Sequence, residues 1–171
     1  MRKLIVIFLL VSLCLAFNSC SLVFGKPAGY YDSDETTDAR LNQAIEAINN
    51  KDKDALKAMF SKQALNEADD FDGKADDLFA FVQKKIISWD RIEHASGGGH
   101  YKYGHRTIRV DSYYYIYTGS QKYFLHMIDY PVDTDHPDNV GLYMLQVIKA
   151  EDEHLWAETP ITCAGISIIK E

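Results

Sequence analysis

Apolar residues recur with a helical period in the first half of the chain. Residues 41 to 48 place Leu, Ala and Ile side chains at i, i+3, i+4 and i+7, which predicts an amphipathic helix capped by Thr36 or Thr37. A shorter helix follows the N-cap residue Asp52, and a third with the same period runs from Phe71 to Val82. The pattern therefore predicts three N-terminal helices.

The period changes from helical to alternating after Lys85. Residues rich in Tyr, Ile, Val and Thr then dominate, and such residues favour strands. The three glycines at 97–99 are expected to interrupt the first strand. The pattern predicts strands at about 87–92, 101–118, 121–130, 140–149 and 166–170, and a further short strand at 154–160. Helices followed by a run of antiparallel strands are typical of an α+β fold.

The dipeptide Gly119-Ser120 predicts a two-residue hairpin loop and therefore a strand register. Tyr117 is expected opposite Lys122, and the pairing continues at least to Ser112 and Met127. Because side chains alternate along a strand, this register separates two faces of the hairpin. The mainly apolar face is predicted to pack on the helices: it holds Ile108, Val110, Ser112, Tyr114, Ile116, Tyr123, Leu125 and Met127.

The opposite face of the hairpin is aromatic and carries both signs of charge. It is the candidate interaction face, made of Arg109, Asp111, Tyr113, Tyr115, Phe124 and His126. An exposed patch rich in Tyr and Arg is typical of a protein interface, here a homodimer or another protein partner. Two alternatives stay open: the chain's own loops cover this face, or Asp111 and His126 form an acid–base pair.

The N-terminus has the pattern of an export signal. Arg2 and Lys3 precede fourteen uncharged residues that end at Phe17, a core too short to span a bilayer as a stable helix. Ser19 and Cys20 follow, which resembles the signal of bacterial lipoproteins, where the cysteine receives a diacylglycerol. We expect a signal peptide at 1–19, a lipid-anchored tether at 20–35 and one domain at 36–171. The alternative is ordinary secretion with an incidental cysteine.

The amino-acid composition limits the kinds of molecule that the protein can bind. The chain carries a net charge of −7, and removal of residues 1–19 takes away two bases and no acid, leaving −9. Nucleic acid is therefore an unfavourable partner. Cys163 would be the only cysteine left apart from Cys20, so no disulfide is expected within the domain, and its apolar neighbours predict a buried, structural thiol. No catalytic, phosphate-binding or metal-ligating spacing is found, and no cofactor is expected.

Segments of the chain resemble known families. The segment Asn50–Ser61, NKDKDALKAMFS, resembles the second-helix region of nuclear transport factor 2-like domains, and the order of elements agrees from Thr36 to Lys170. Asp133–Asp135 through Leu142, together with Ala164–Ile166, resembles an uncharacterised family of lipoproteins of Gram-positive bacteria. The resemblance implies helices packed in the hollow of a curved antiparallel sheet, as in a cone. That superfamily hosts isomerases, dehydratases, transport adaptors, immunity proteins and binding modules, so fold alone does not fix function.

The leading interpretation is a non-catalytic binding or protein-interaction module, lipid-anchored on the outer face of the cell membrane. A cone of this kind also accommodates a small apolar ligand. One alternative is an isomerase or hydratase that uses polar groups in the cone, which needs titratable groups inside the hollow. Another is a toxin-immunity protein, which needs a protein partner rather than a small molecule.

Overall fold

The structure is a computed structural model that describes residues 33–158 and 163–169, except for the side chains of residues 157 and 158. The lipidation candidate Cys20, the signal peptide and the tether up to residue 32 lie outside the described residues. The described residues belong to one compact unit, Asp32–Glu171.

Within the described residues, four helices precede six strands. The helices are α1 Ser33–Asn50, α2 Lys53–Ala58, α3 Lys62–Glu67 and α4 Phe71–Phe81. The strands are β1 Ile86–Arg91, β2 Ser96–Lys102, β3 His105–Thr118, β4 Lys122–Asp133, β5 Gly141–Lys149 and β6 Gly165–Ile169. Two 3-10 segments, Pro137–Asn139 and Ala150–Glu158, flank β5. The predicted α+β class is confirmed.

Side-chain caps fix where the short helices begin. Asp52 accepts a hydrogen bond from Ala55 N at 2.9 Å, as predicted for an N-cap. Ser61 caps α3 in the same way, accepting from Ala64 N at 3.0 Å. The sequence pattern did not predict α3, because only two turns of helix with few apolar residues leave little periodic signal.

The first helix starts earlier than predicted. α1 begins at Ser33, so neither Thr36 nor Thr37 is its cap and its first turn lies before the expected domain boundary at residue 36. The Thr37 hydroxyl instead donates to the Ser33 carbonyl oxygen at 2.7 Å within the helix. A hydroxyl in the first turn can satisfy a helical carbonyl as well as cap the helix, which explains the error.

The strands form one sheet in the order β1-β3-β4-β5-β6, with β2 paired to β3 beyond the end of β1. All pairs are antiparallel except β5 with β6, which run parallel, so the prediction of a purely antiparallel sheet is wrong at that edge. The glycines 97–99 lie inside β2 rather than interrupting a strand. The extended backbone of β3 supplies β2 with hydrogen-bond partners, which outweighs the low strand propensity of glycine.

The predicted hairpin register is confirmed. Tyr117 pairs with Lys122, and the pairing continues to Ser112 with Met127. The face predicted to contact the helices does so: Tyr114, Leu125 and other residues of that face share one core with helical residues such as Leu56. We call this helix-covered side the inner face of the sheet and the opposite side the outer face.

Two predictions near the C-terminus are wrong. Residues Ala150–Glu158 form a 3-10 segment where a strand was expected from residue 154. Cys163 is exposed, although its apolar neighbours predicted burial. β6 begins only at Gly165, so Cys163 precedes the strand and does not share the buried face of Ile166.

Candidate functional site

A row of polar side chains crosses the outer face of the sheet. Tyr113, His126, Gln146 and Ser167 occupy paired positions on the four consecutive strands β3, β4, β5 and β6. Paired residues point to the same face of a sheet, so these four side chains lie side by side in one row across the strands. Gln146 and His126 are fully buried, which is uncommon for polar residues on a sheet surface.

The side chain of Trp156 covers the end of this row that holds Tyr113 and His126. Its ring lies 5.6 Å from Tyr113, 5.7 Å from His126 and 5.5 Å from Phe124, all between ring centroids. Trp156 belongs to the 3-10 segment 150–158, whose nine residues exceed the three or four that such helices usually contain. Since the 3-10 geometry gives poor hydrogen bonds, we infer that side-chain packing holds this segment on the sheet.

Four buried polar atoms in this region have no hydrogen-bond partner. They are Nδ1 of His126, Nε2 and Oε1 of Gln146, and Nε1 of Trp156. Almost all buried polar groups in folded proteins are paired, and leaving one unpaired costs about 1–3 kcal/mol. A buried water or a polar ligand would supply the missing hydrogen bonds.

An ion network flanks the row at one end. Arg109 donates two hydrogen bonds to Asp111, both at 3.0 Å, and Nε2 of His126 lies 3.3 Å from Asp111 Oδ1. Burial raises the pKa of the Asp111 carboxyl, but the hydrogen bonds from His126 and Arg109 outweigh it and leave the pKa below its usual range. Asp111 is therefore a fixed negative charge that orients the imidazole.

Stacking holds the imidazole from a second side. The ring of Tyr113 lies 4.5 Å from the ring of His126 with planes only 17° apart. Asp111 at Nε2 and the ring of Trp156, which is perpendicular to the imidazole, bring the number of neighbours that hold it to three. These contacts fix the orientation of the imidazole and therefore the direction of its Nδ1.

Residues 43–150 match the model of a family described as a domain of unknown function, DUF5104. The chain belongs to this family. No protein in the curated set matches the chain. The matched residues include His126 and Gln146, whereas Trp156 lies beyond them.

The candidate interaction face of this DUF5104 chain is only partly exposed. Asp111 and His126, which the register places diagonally on neighbouring strands, are in contact. Phe124 is only 3 % exposed and His126 is fully buried, so the expectation of a contiguous exposed aromatic patch is wrong. Trp156 contacts both Phe124 and His126, which supports the alternative that the chain itself covers this part of the face. Arg109 remains exposed, while Tyr113 and Tyr115 are half-buried.

Sequence reasoning missed two central residues of the site. Gln146 was placed in a strand but not singled out, although it is the one amide within the apolar run Leu142–Ile148. A lone amide in a strand buried on both faces is a usable signal. Trp156 was placed inside the short strand predicted at 154–160, and nothing in its local pattern shows that it folds back over the sheet.

A second group of buried polar residues lies on the inner face. Asp129 is buried, and Arg40 of α1 donates to its Oδ2 at 3.4 Å. The backbone N–H of Tyr130 also acts on this carboxyl and lowers its pKa, while Oδ1 has no hydrogen bond of good geometry. Burial raises the pKa of the Asp129 carboxyl despite the Arg40 charge. Ser112 of β3, which pairs with Met127 of β4, is also buried, and its hydroxyl has no hydrogen-bond partner. These groups lie between the helices and the sheet.

Proposed function

We propose that this protein is a non-catalytic binding module that holds a small polar molecule between the outer face of the sheet and Trp156. The observation that carries the proposal is the set of four buried polar atoms without partners on Gln146, His126 and Trp156. Selection tolerates such a cost where the groups serve a ligand rather than the fold.

The chemistry of the site points to a ligand with a donor next to an acceptor. The Gln146 amide offers one of each, the Trp156 indole offers a donor, and His126 Nδ1 offers either. Aromatic rings of Tyr113 and Phe124 form the adjoining walls, which suits a flat molecule. An amide or a planar nitrogen heterocycle fits these requirements better than the apolar ligand that the sequence suggested.

The test uses the compact unit Asp32–Glu171, whose core links the helices and the sheet. In a Trp89→Phe background Trp156 is the only tryptophan, so its fluorescence reports on the site. We expect native mass spectrometry to find a co-purified small molecule, or uracil or acetamide at millimolar concentration to change the fluorescence. Gln146→Met should abolish either signal, whereas Gln63→Met, the same change at a half-buried position on α3, should leave it intact. Absence of both signals from the parent protein contradicts the proposal.

We propose that Cys20 carries a lipid that anchors the domain on the outer face of the cell membrane. The support is the uncharged core that ends at Phe17 and the small residue before Cys20. Among the described residues, none of the helices has the length and hydrophobicity to span a bilayer. In a host that processes lipoproteins, Cys20→Ala should leave the membrane fraction or stay unprocessed. A processed variant that remains on the membrane contradicts the anchor.

We also propose that the domain has the cone-shaped fold of nuclear transport factor 2-like proteins. Four helices cover one face of a six-stranded sheet, as that fold requires. Register shifts in the β1–β3, β3–β4 and β4–β5 pairs are the kind of irregularity that bends a sheet. An experimental structure compared with known members of the fold tests this assignment.

The inner face supports a second candidate function, an isomerase or hydratase. Asp129 is a buried carboxyl with a raised pKa and one unpartnered oxygen, the properties expected of a general acid or base. A ketone that carries acidic α-protons is the suitable probe. Exchange of those protons with solvent deuterium, and loss of this exchange in Asp129→Asn, would favour the enzyme over the binding module. Absence of exchange in the parent protein would count against the enzyme.

A further inference from the structure

The hairpin between β2 and β3 projects two exposed aromatic residues from its tip. Lys102 pairs with His105, so Tyr103 and Gly104 form a two-residue loop. The side chain of Tyr103 is 89 % exposed and that of Tyr101 is 76 % exposed. All seven residues of β2 are exposed, and this arm therefore has solvent on most sides.

The backbone at the tip is unfavourable for the residue it carries. Tyr103 has φ +53° and Gly104 has φ +88°, the left-handed pair that a tight two-residue loop requires. Asn or Gly normally occupies the first of these positions, and a tyrosine there costs free energy. Lys102 places its Nζ 5.4 Å from the centre of the Tyr103 ring, so an aromatic ring and a cation are presented together.

The arm is basic in an acidic protein. No Asp or Glu occurs from His94 to Val110, a stretch that contains one lysine, two arginines and three histidines. Arg109 and His105 are engaged by Asp111 and Asp135. Among the described residues Lys102 makes no ion pair, so its charge is directed to solvent beside the exposed tyrosines.

We propose that the tip of this β2–β3 hairpin arm, residues Tyr101–Tyr103, binds the anionic phospholipid headgroups of the membrane surface. Local positive charge is attracted to anionic lipid within a Debye length of about 10 Å, even when the whole protein is negative. Tyrosine favours the boundary between headgroups and hydrocarbon because its ring is apolar and its hydroxyl is polar. The inference rests on the proposed Cys20 anchor only for keeping the arm near the membrane.

The test measures binding of the unlipidated unit Asp32–Glu171 to vesicles at low salt, after a cooperative thermal transition shows that it is folded. We expect binding to phosphatidylglycerol vesicles and not to phosphatidylcholine vesicles. Removing one charge near the surface should weaken binding about fivefold in Lys102→Gln. Lys85→Gln makes the same change in net charge elsewhere on the surface and should have less than a twofold effect.

A second variant separates the arm's binding role from its folding role. Tyr103→Asn places the preferred residue in the loop, so the melting temperature should stay the same or rise while vesicle binding falls. Three results would overturn the proposal: no binding to anionic vesicles, equal losses in the two lysine variants, or unchanged binding of Tyr103→Asn. Equally tight binding to soluble polyphosphate would overturn the assignment to a lipid surface. Because no lipid anchor is present, these results do not depend on Cys20.

Discussion

Replacing Gln146 by methionine should stabilise the protein. The side chain is fully buried, and neither its amide nitrogen nor its amide oxygen has a partner. A buried amide without hydrogen bonds costs about 1–3 kcal/mol, and methionine fills a similar volume without that cost. Allowing for imperfect repacking, we expect a gain of about 1–2 kcal/mol. For a domain of this size that corresponds to a rise in Tm of roughly 3–8 °C.

Thermal and urea denaturation of the ligand-free unit, followed by circular dichroism, measures this change. The control is Gln63→Met on α3, whose exposed amide donates to Glu67 at 2.8 Å and whose loss should change stability by less than ~0.5 kcal/mol. A loss of more than ~1 kcal/mol in Gln146→Met would refute the reasoning. It would mean that water satisfies the amide in the native state, and the unpaired atoms would then be part of the fold rather than of a binding site.

Three further predictions concern stability and reactivity. Gly141→Ala should destabilise the fold by at least ~2 kcal/mol in urea denaturation, because φ is +131° there and a Cβ would lie 2.9 Å from Ser61 N; Gly98→Ala, with open space around it, is the control. The lowered pKa of Asp111 stabilises the fold above the usual carboxyl pKa of about 3.9, and this stabilisation is lost as the pH falls through the folded-state pKa. Asp111→Asn should therefore make the free energy of unfolding depend less on pH below pH ~4. An unchanged pH dependence would contradict this. Cys163 should react with a thiol reagent as fast in the native as in the denatured protein, and slow native labelling would show that it is covered.

The parts of the fold that were predicted correctly are those determined by local signals. The Gly119-Ser120 loop fixes the register of β3 and β4, and alternation then fixes which side chains face the helices. Asp52 was identified as an N-cap because capping depends on a few neighbouring residues. These features need no knowledge of distant contacts.

The errors arise where distant contacts decide the structure. Gly97–Gly99 have low strand propensity, yet β3 supplies the hydrogen bonds that keep them extended. The same holds for the site: Trp156 reaches the outer face only because the chain after β5 folds back across the sheet. The register made a contact between Asp111 and His126 possible, but sequence patterning left open whether the chain itself covers this face.

The outer-face network is better suited to binding than to proton transfer. A general base works best with a pKa near the working pH and an oxygen free to reach a substrate. Asp111 has a lowered pKa, and its two oxygens are already engaged by Arg109 and His126. Asp129 has the opposite properties, a pKa raised by burial and one unpartnered oxygen. If the protein has a catalytic activity, Asp129→Asn should abolish it and Asp111→Asn should not, whereas ligand binding at Gln146 should survive the loss of Asp129.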